Sequence, residues 1–164
     1  MSHSCFIQLR RHNICFLTIF YMDIFGQVAY PFGHGLSYTT FEYSWDSTYG
    51  PPVPTSEGGA QIRVQVQNTG VTGGVEVVQV YATFPESDGF SNATKALKHY
   101  KRVQLNAGEV AVLNLDLTAD SFRRWSNQAW AFETPSPGAY HVSVGSSSRD
   151  IRLEADLDIE AVDA

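Results

Sequence analysis

The stretch Ala60 to Asn68 reads AQIRVQVQN, and its side chains alternate in character along the run. Ile62, Val64 and Val66 fall on one face; Gln61, Arg63, Gln65 and Gln67 fall on the other. Successive Cβ atoms of a strand point to opposite sides of the sheet, so an apolar period of two predicts a strand with one buried face. The same grammar continues outward. Thr69 to Gly74 (TGVTGG) is turn chemistry, where glycine is expected to supply positive φ. Val75 to Phe84 (VEVVQVYATF) is more continuously apolar and is expected to be central, and Pro85 to Asn92 breaks it. Leu97 to Leu105 forms a further strand, and Asn106 to Glu109 turns the chain. Val110 to Leu117 places Leu113, Leu115 and Leu117 on one face. Pro137-Gly138 introduces Ala139 to Val144, with Tyr140, Val142 and Val144 inward. Ile151 to Ala161 sets Ile151, Leu153, Ala155, Leu157 and Ile159 against five outward charges, a pattern suited to an edge strand. With Phe41 to Trp45, about seven strands result, and no amphipathic helix longer than two turns competes. The fold class is all-β: an immunoglobulin-like antiparallel β-sandwich with an irregular N-terminal extension.

The composition fits that reading and narrows the partners. The chain has 164 residues, 43% hydrophobic and 17% charged, which suits one globular domain with a modest tail. A net charge of −6, with eleven Lys and Arg that form no stripe, argues against nucleic acid, whose phosphates need a basic face. The only cysteines, Cys5 and Cys15, lie in the N-terminal segment and show no zinc-ligand spacing. No metal or cofactor is expected.

Met1 to Gln27 reads differently from the rest. Arg10, Arg11 and His12 precede the nine-residue apolar run Ile14 to Met22 (ICFLTIFYM), which is too short to span a bilayer. Two readings fit it. The run has the length of a signal-peptide h-region behind a basic flank, with cleavage after Ala29. Alternatively it is an aberrant start such as a mispredicted exon. The second is favoured, because Gln27 sits where cleavage needs a small residue. Localisation stays open between secreted and cytoplasmic, and no membrane span is expected.

Tyr30 to Phe41 reads YPFGHGLSYTTF, rich in aromatics and glycines but with no strand or helix period. It is expected to be an irregular connector docked against something. This segment resembles the one by which β-glucosidases of glycoside hydrolase family 3 pass from their catalytic part into a C-terminal fibronectin-type-III-like domain. The resemblance continues in order through Val66 to Gly70 (VQNTG), Gly74 to Tyr81 (GVEVVQVY), Lys95 to Lys98, Ala107 to Glu109, Trp125, Trp130, Gly138 to Gly145 (GAYHVSVG) and Ser147 to Leu153 (SSRDIRL). It covers about three quarters of the chain. It implies three segments: residues 1–29 as an atypical N-terminal stretch, 30–41 as an interdomain connector, and 42–162 as a fibronectin-type-III-like sandwich.

The resemblance also implies what to look for and not find. Such enzymes are retaining, with a nucleophilic Asp on a (β/α)8-type domain and an acid/base Glu on the next α/β domain. None of the carboxylates here matches either motif, so no catalytic residue is assigned and the chain is expected to be inactive alone. Its implied partners are the catalytic domains of a family 3 glycosidase.

The connector residues Tyr30, Pro31, Phe32, Gly33, His34, Gly35, Leu36, Ser37 and Tyr38 are the main candidate site, with an exposed apolar patch expected to drive self-association. His34 is read as a packing or capping residue, against a weaker reading near the sugar pocket of the full enzyme. Asp150 is given a structural pairing role with Arg149. His99 and His141 are read as solvated on polar strand faces. Ser146-Ser147-Ser148 lacks the setting of a nucleophile. Trp125 and Trp130 are read as core or interdomain contacts, with sugar stacking on β-glucan as the alternative. Asn92, in Asn92-Ala93-Thr94, matches the N-glycosylation pattern on a predicted loop.

Overall fold

The computed structural model describes residues 29–84, 95–126, 130–133 and 138–159. The strands run in chain order β1 (Phe41–Trp45), β2 (Val53–Pro54), β3 (Ala60–Gln61), β4 (Arg63–Asn68), β5 (Gly74–Thr83), β6 (Lys95–Leu105), β7 (Val110–Asn114), β8 (Arg124–Ser126), β9 (Ala131–Glu133), β10 (Gly138–Gly145) and β11 (Ile151–Ile159). A three-stranded sheet in the order β1-β4-β7 faces a four-stranded sheet in the order β11-β10-β5-β6. Two short hairpins, β2-β3 and β8-β9, complete the strands described. Every named pairing is antiparallel.

The alternation read from the sequence is the register of this sandwich. Val64 lies opposite Leu113 and Trp45, and Val66 opposite Ala111 and Tyr43, so β4 delivers its valines to the interior. From the other sheet Val78, Val80, Val142 and Val144 meet them, all fully buried. Each such side chain contributes roughly 1.5–3 kcal/mol of transfer free energy, so this layer dominates the stability. Phe122, on a 3-10 turn at Ala119–Phe122, closes one end edge-on to Tyr140 at 5.1 Å between ring centres. As expected, β5 is central and β11 is an edge strand with Glu154, Asp156 and Asp158 outward.

Several details differ from the sequence reading. The Ala60–Asn68 run is interrupted at Ile62. Ala60 and Gln61 turn aside to pair with β2, and the Ile62 amide donates to the Asp116 carboxylate at 3.1 Å. Leu115 and Leu117 lie beyond the end of β7, but their amides still donate to the carbonyls of Ile62 and Ala60. The glycines of Thr69 to Gly74 do not adopt positive φ; among the described residues the positive-φ glycines are Gly33, Gly50, Gly58, Gly108 and Gly138. Close approach explains the need for glycine there instead. A Cβ on Gly70 would stand 2.1 Å from Thr39 Oγ1, and one on Gly74 would stand 2.4 Å from Thr39 Cγ2.

His99 is not on a solvated face: it sits opposite Val80, half-buried, with its Nδ1 shielded from solvent. His141 is not merely solvated either, since its two ring nitrogens face Asp156 at 2.7 Å and Glu154 at 3.5 Å. Asp150, just before β11, pairs with Arg152 at 2.9 Å, in place of the expected Arg149. Residues 1–28 and Asn92 lie outside the described residues. Among the described residues no helix is long and apolar enough to cross a membrane.

Candidate functional site

The connector crosses one end of the sandwich, where β1 and β5 begin and β10 turns into β11. That end is tied together by buried amides. Asn68, wholly buried, accepts from the Thr39 hydroxyl at 2.6 Å and the Gly70 amide at 3.0 Å, and donates to the carbonyls of Thr72 at 2.8 Å and Leu105 at 3.1 Å. The connector's C-terminal end is thus held to the turn after β4 and the end of β6. Its N-terminal half is held differently. Gln79 points outward from the central strand, and its amide nitrogen donates to the carbonyls of Gly33 and Ser146. The Gln79 carbonyl accepts from the Tyr81 hydroxyl. The Ser148 amide adds a further bond to the carbonyl of Phe32, at 2.9 Å.

Gly33 is required at this position. Its φ is +76°, and a Cβ would lie 2.0 Å from the Gln79 carbonyl oxygen. Its neighbour His34 donates its amide to the Pro31 carbonyl at 3.1 Å and stacks its ring on Tyr30, 5.2 Å between centres. His34 therefore packs within the connector. Pro31 and Phe32 are half-buried, whereas Gly33 to Tyr38 are exposed. Leu36 is 91% exposed, Tyr38 fully so, and Tyr30 is 73% exposed. An open groove of about 1010 Å³ is lined by connector residues together with Val75, Val77, Leu97, Tyr100, Tyr43 and Arg152.

A charged cluster is part of the same lining. The Arg152 guanidinium donates to the Phe41 carbonyl and to Asp150, and rides 4.7 Å above the Tyr43 ring. Asp150 is held below its ordinary value by Arg152 and by the Ser146 hydroxyl. A carboxylate so stabilised is a weak base, so Ser146 and Asp150 do not form an activated nucleophile pair. Ser147 accepts from the Asp150 amide at 3.0 Å, which makes the serine run a structural turn. Burial, aided by the Glu76 carboxylate, keeps the Tyr43 phenol protonated well above its usual range. Burial also pushes Tyr81 up to about 12. Among the described residues no three His, Cys, Asp or Glu side chains gather to hold a metal.

The two candidate tryptophans belong to the β8-β9 segment. Trp125 lies on β8 with its backbone opposite Phe132 of β9. Trp130 stands at the tip of that hairpin, 79% exposed with φ of +50°, and Phe132 is 63% exposed. Trp130 is therefore a surface aromatic and not part of the core. Sequence reasoning missed Gln79, Tyr43 and Arg152 as members of the connector site. A polar Gln inside the apolar run VEVVQVYA was the available signal; a central strand keeps such a residue only where it has partners.

Comparison with known proteins agrees with this architecture. A model of the fibronectin type III-like domain matches residues 76–148. The chain is 35% identical over 143 residues to "Probable beta-glucosidase H" of Neosartorya fischeri, covering 86% of this chain and 17% of that protein. Among solved structures, a β-glucosidase from Kluyveromyces marxianus in complex with glucose is 37% identical with a TM-score of 0.74, over 82% of this chain and 16% of that one. The Bifidobacterium adolescentis GH3 β-glucosidase is 34% identical with a TM-score of 0.71, over 79% of this chain and 18% of that one. The chain thus spans about a sixth of the length of the proteins it matches.

Proposed function

Because this chain carries the fibronectin type III-like domain of glycoside hydrolase family 3 β-glucosidases, we propose that it is a non-catalytic accessory part of such an enzyme. Residues 30–41 act as the connector from the catalytic part, and 42–162 as the bracing sandwich. The carrying observation is the coverage: most of this chain matches, yet it corresponds to only 17% of the relative. The retaining chemistry belongs to that larger remainder. It needs a carboxylate nucleophile and a carboxylic acid about 5–5.5 Å apart across the sugar bond. In the site built above, Asp150 is consumed by Arg152 and Ser146, which favours a structural role for it.

The test is direct. The purified 164-residue chain, offered an aryl β-glucoside, is expected to release no aglycone above the buffer rate. Turnover that rises in proportion to the chain and survives further purification would overturn the reading.

A second reading is favoured by one observation, the exposure of Trp130 and Phe132 on the β8-β9 hairpin. Aromatic planes stack on the C–H faces of sugars, and an aromatic held at positive φ on a hairpin tip costs backbone strain that binding could explain. On that reading the hairpin binds β-glucan. Trp130→Ala would then weaken retention on a β-glucan column without lowering Tm; equal retention of the variant and the parent chain would rule it out.

A further inference from the structure

Among the described residues the four-stranded sheet ends in two edges of opposite charge. β6, at one edge, carries Lys95, Lys98, Lys101 and Arg102 and no carboxylate. β11, at the other, carries Glu154, Asp156 and Asp158, and its one cation, Arg152, is held by Asp150. Both edges are long, at eleven and nine residues. Among the described residues Lys95, Lys101 and Arg102 pair with no carboxylate, and Lys101, Arg102 and the three β11 carboxylates are exposed.

An edge strand leaves a row of backbone N–H and C=O groups open to a further strand, and like charges on two such edges keep them apart. Here β6 repels a second β6 and β11 repels a second β11, whereas β6 and β11 attract. The two lie three strand spacings apart, roughly 14 Å, so they do not meet within one chain. We infer that β6 of one copy of this chain takes β11 of a second copy as its next strand, so that the sheet continues head-to-tail across the junction.

The topology fits this pairing. Four strands alternate in direction, so a second copy in the same orientation brings its β11 antiparallel to β6, with both cores on the same side. The charged faces then match. Tyr100 and Arg102 lie opposite Gln79 and Val77, on the outer face of the sheet, and Glu154 and Asp156 lie opposite Ser143 and His141, on that same face. With Arg102 opposite Glu154, Tyr100 falls opposite Asp156, which places a cation and a phenol against two carboxylates. In strand addition the main-chain hydrogen bonds give affinity, and the alternate side chains give specificity. The contact is heterologous: each junction leaves a free β11 on one copy and a free β6 on the other, so assembly passes beyond a dimer.

Sedimentation of the 164-residue chain over a concentration series tests this. Association beyond a dimer is expected at about 0.1 M salt, and it should weaken roughly tenfold near 1 M, where the screening length falls to about 3 Å. Two charge reversals sharpen the test. Lys101→Glu/Arg102→Glu makes both edges acidic, and Glu154→Lys/Asp158→Lys makes both basic. Each variant alone is expected to associate at least about tenfold more weakly than the parent, because like charges then face each other. An equimolar mixture of the two should recover association, since each basic edge again meets an acidic one. All four side chains are exposed, so both variants are expected to keep a cooperative melt. A parent chain that stays monomeric at low salt overturns the proposal and leaves the basic edge to some other acidic partner. Association indifferent to salt and to both reversals, but lost in Leu36→Ser/Tyr38→Ser, moves the interface to the connector and overturns it too. Variants that dissociate and do not recover on mixing show that the two edges do not pair, which also sinks it.

Discussion

The amide nitrogen of Gln79 lies 3.0 Å from the carbonyl oxygen of Gly33, joining the outer face of the central strand to a connector 46 residues earlier. The same nitrogen reaches Ser146 at 2.6 Å, while the Gln79 carbonyl takes the Tyr81 hydroxyl at 2.5 Å. Both donors and the acceptor of one amide are thereby used. A polar side chain in a central strand is costly unless so satisfied, and here satisfying it is what fixes the connector's path.

Gly33→Ala tests the clamp. The new methyl would meet Gln79 at 2.0 Å, at a φ of +76° that costs an L-residue roughly 1–2 kcal/mol. The connector can relieve both by lifting off, so the sandwich itself should survive. Amide exchange at Ser148, whose hydrogen bond goes to Phe32, should accelerate at least about tenfold while Val64 and Val66 exchange unchanged. Equal protection at Ser148 in variant and parent would show that Gln79 does not hold the connector down.

Asn68→Ala strikes the other clamp. The side chain makes four hydrogen bonds in a fully buried site, and truncation strands the Thr72 and Leu105 carbonyls and the Gly70 amide. Each buried group left unpaired costs about 1–3 kcal/mol, partly recovered by water, so a net loss of about 3 kcal/mol in denaturant unfolding is expected. Asn68→Asp should be no better, because a carboxylate cannot donate to two carbonyls. A loss below about 1 kcal/mol would mean the turn re-forms its bonds without Asn68.

The sandwich was legible in the sequence because burial on one face imposes a period of two, and Ile62, Val64 and Val66 carry that period plainly. The centrality of β5 followed from its more continuously apolar run. What was hidden depends on contacts between distant segments. Gly70 and Gly74 looked like positive-φ turn residues, but they are glycine because Thr39 crosses them. Asp150 stands between Arg149 and Arg152 in the sequence, and only the folded chain decides for Arg152, whose guanidinium reaches it at 2.9 Å. The connector motif announced itself as irregular. That its clamp is Gln79 could be known only once the sheet order placed β5 beside β10.

His141 predicts a pH dependence. Its hydrogen bond to Asp156, then that to Glu154, raise its pKa above the ordinary 6.5 despite opposing burial. The imidazolium's contribution is therefore complete below about pH 6.5 and is lost as pH rises through the higher folded value. Above that, Glu154 and Asp156 face each other across a neutral ring. Tm should fall as pH rises above about 6.5 through that higher folded value, and His141→Gln should flatten that slope. Asp150, lowered from 3.8, acts in the opposite direction and only in acid, so it does not obscure the window. A slope unchanged in the glutamine variant would assign the effect elsewhere.

Arg152 joins the two sheets at the connector end. It sits on β11 of the four-stranded sheet, and its guanidinium donates to the carbonyl of Phe41 on β1 of the three-stranded sheet. The other arm holds Asp150 at 2.9 Å, and the plane covers the Tyr43 ring at 4.7 Å. Three directional contacts from one planar fork are not reproduced by an ammonium, which is a compact charge without that geometry. Arg152→Ala should cost about 2 kcal/mol, the order of hydrogen bonds to a charged group, with the urea midpoint lowered and the m-value unchanged. Arg152→Lys should recover less than half of that loss, since it keeps the attraction to Asp150 but not the simultaneous reach to Phe41. A lysine variant as stable as the parent would show that charge alone closes this end, and the stitch between β1 and β11 would then be incidental.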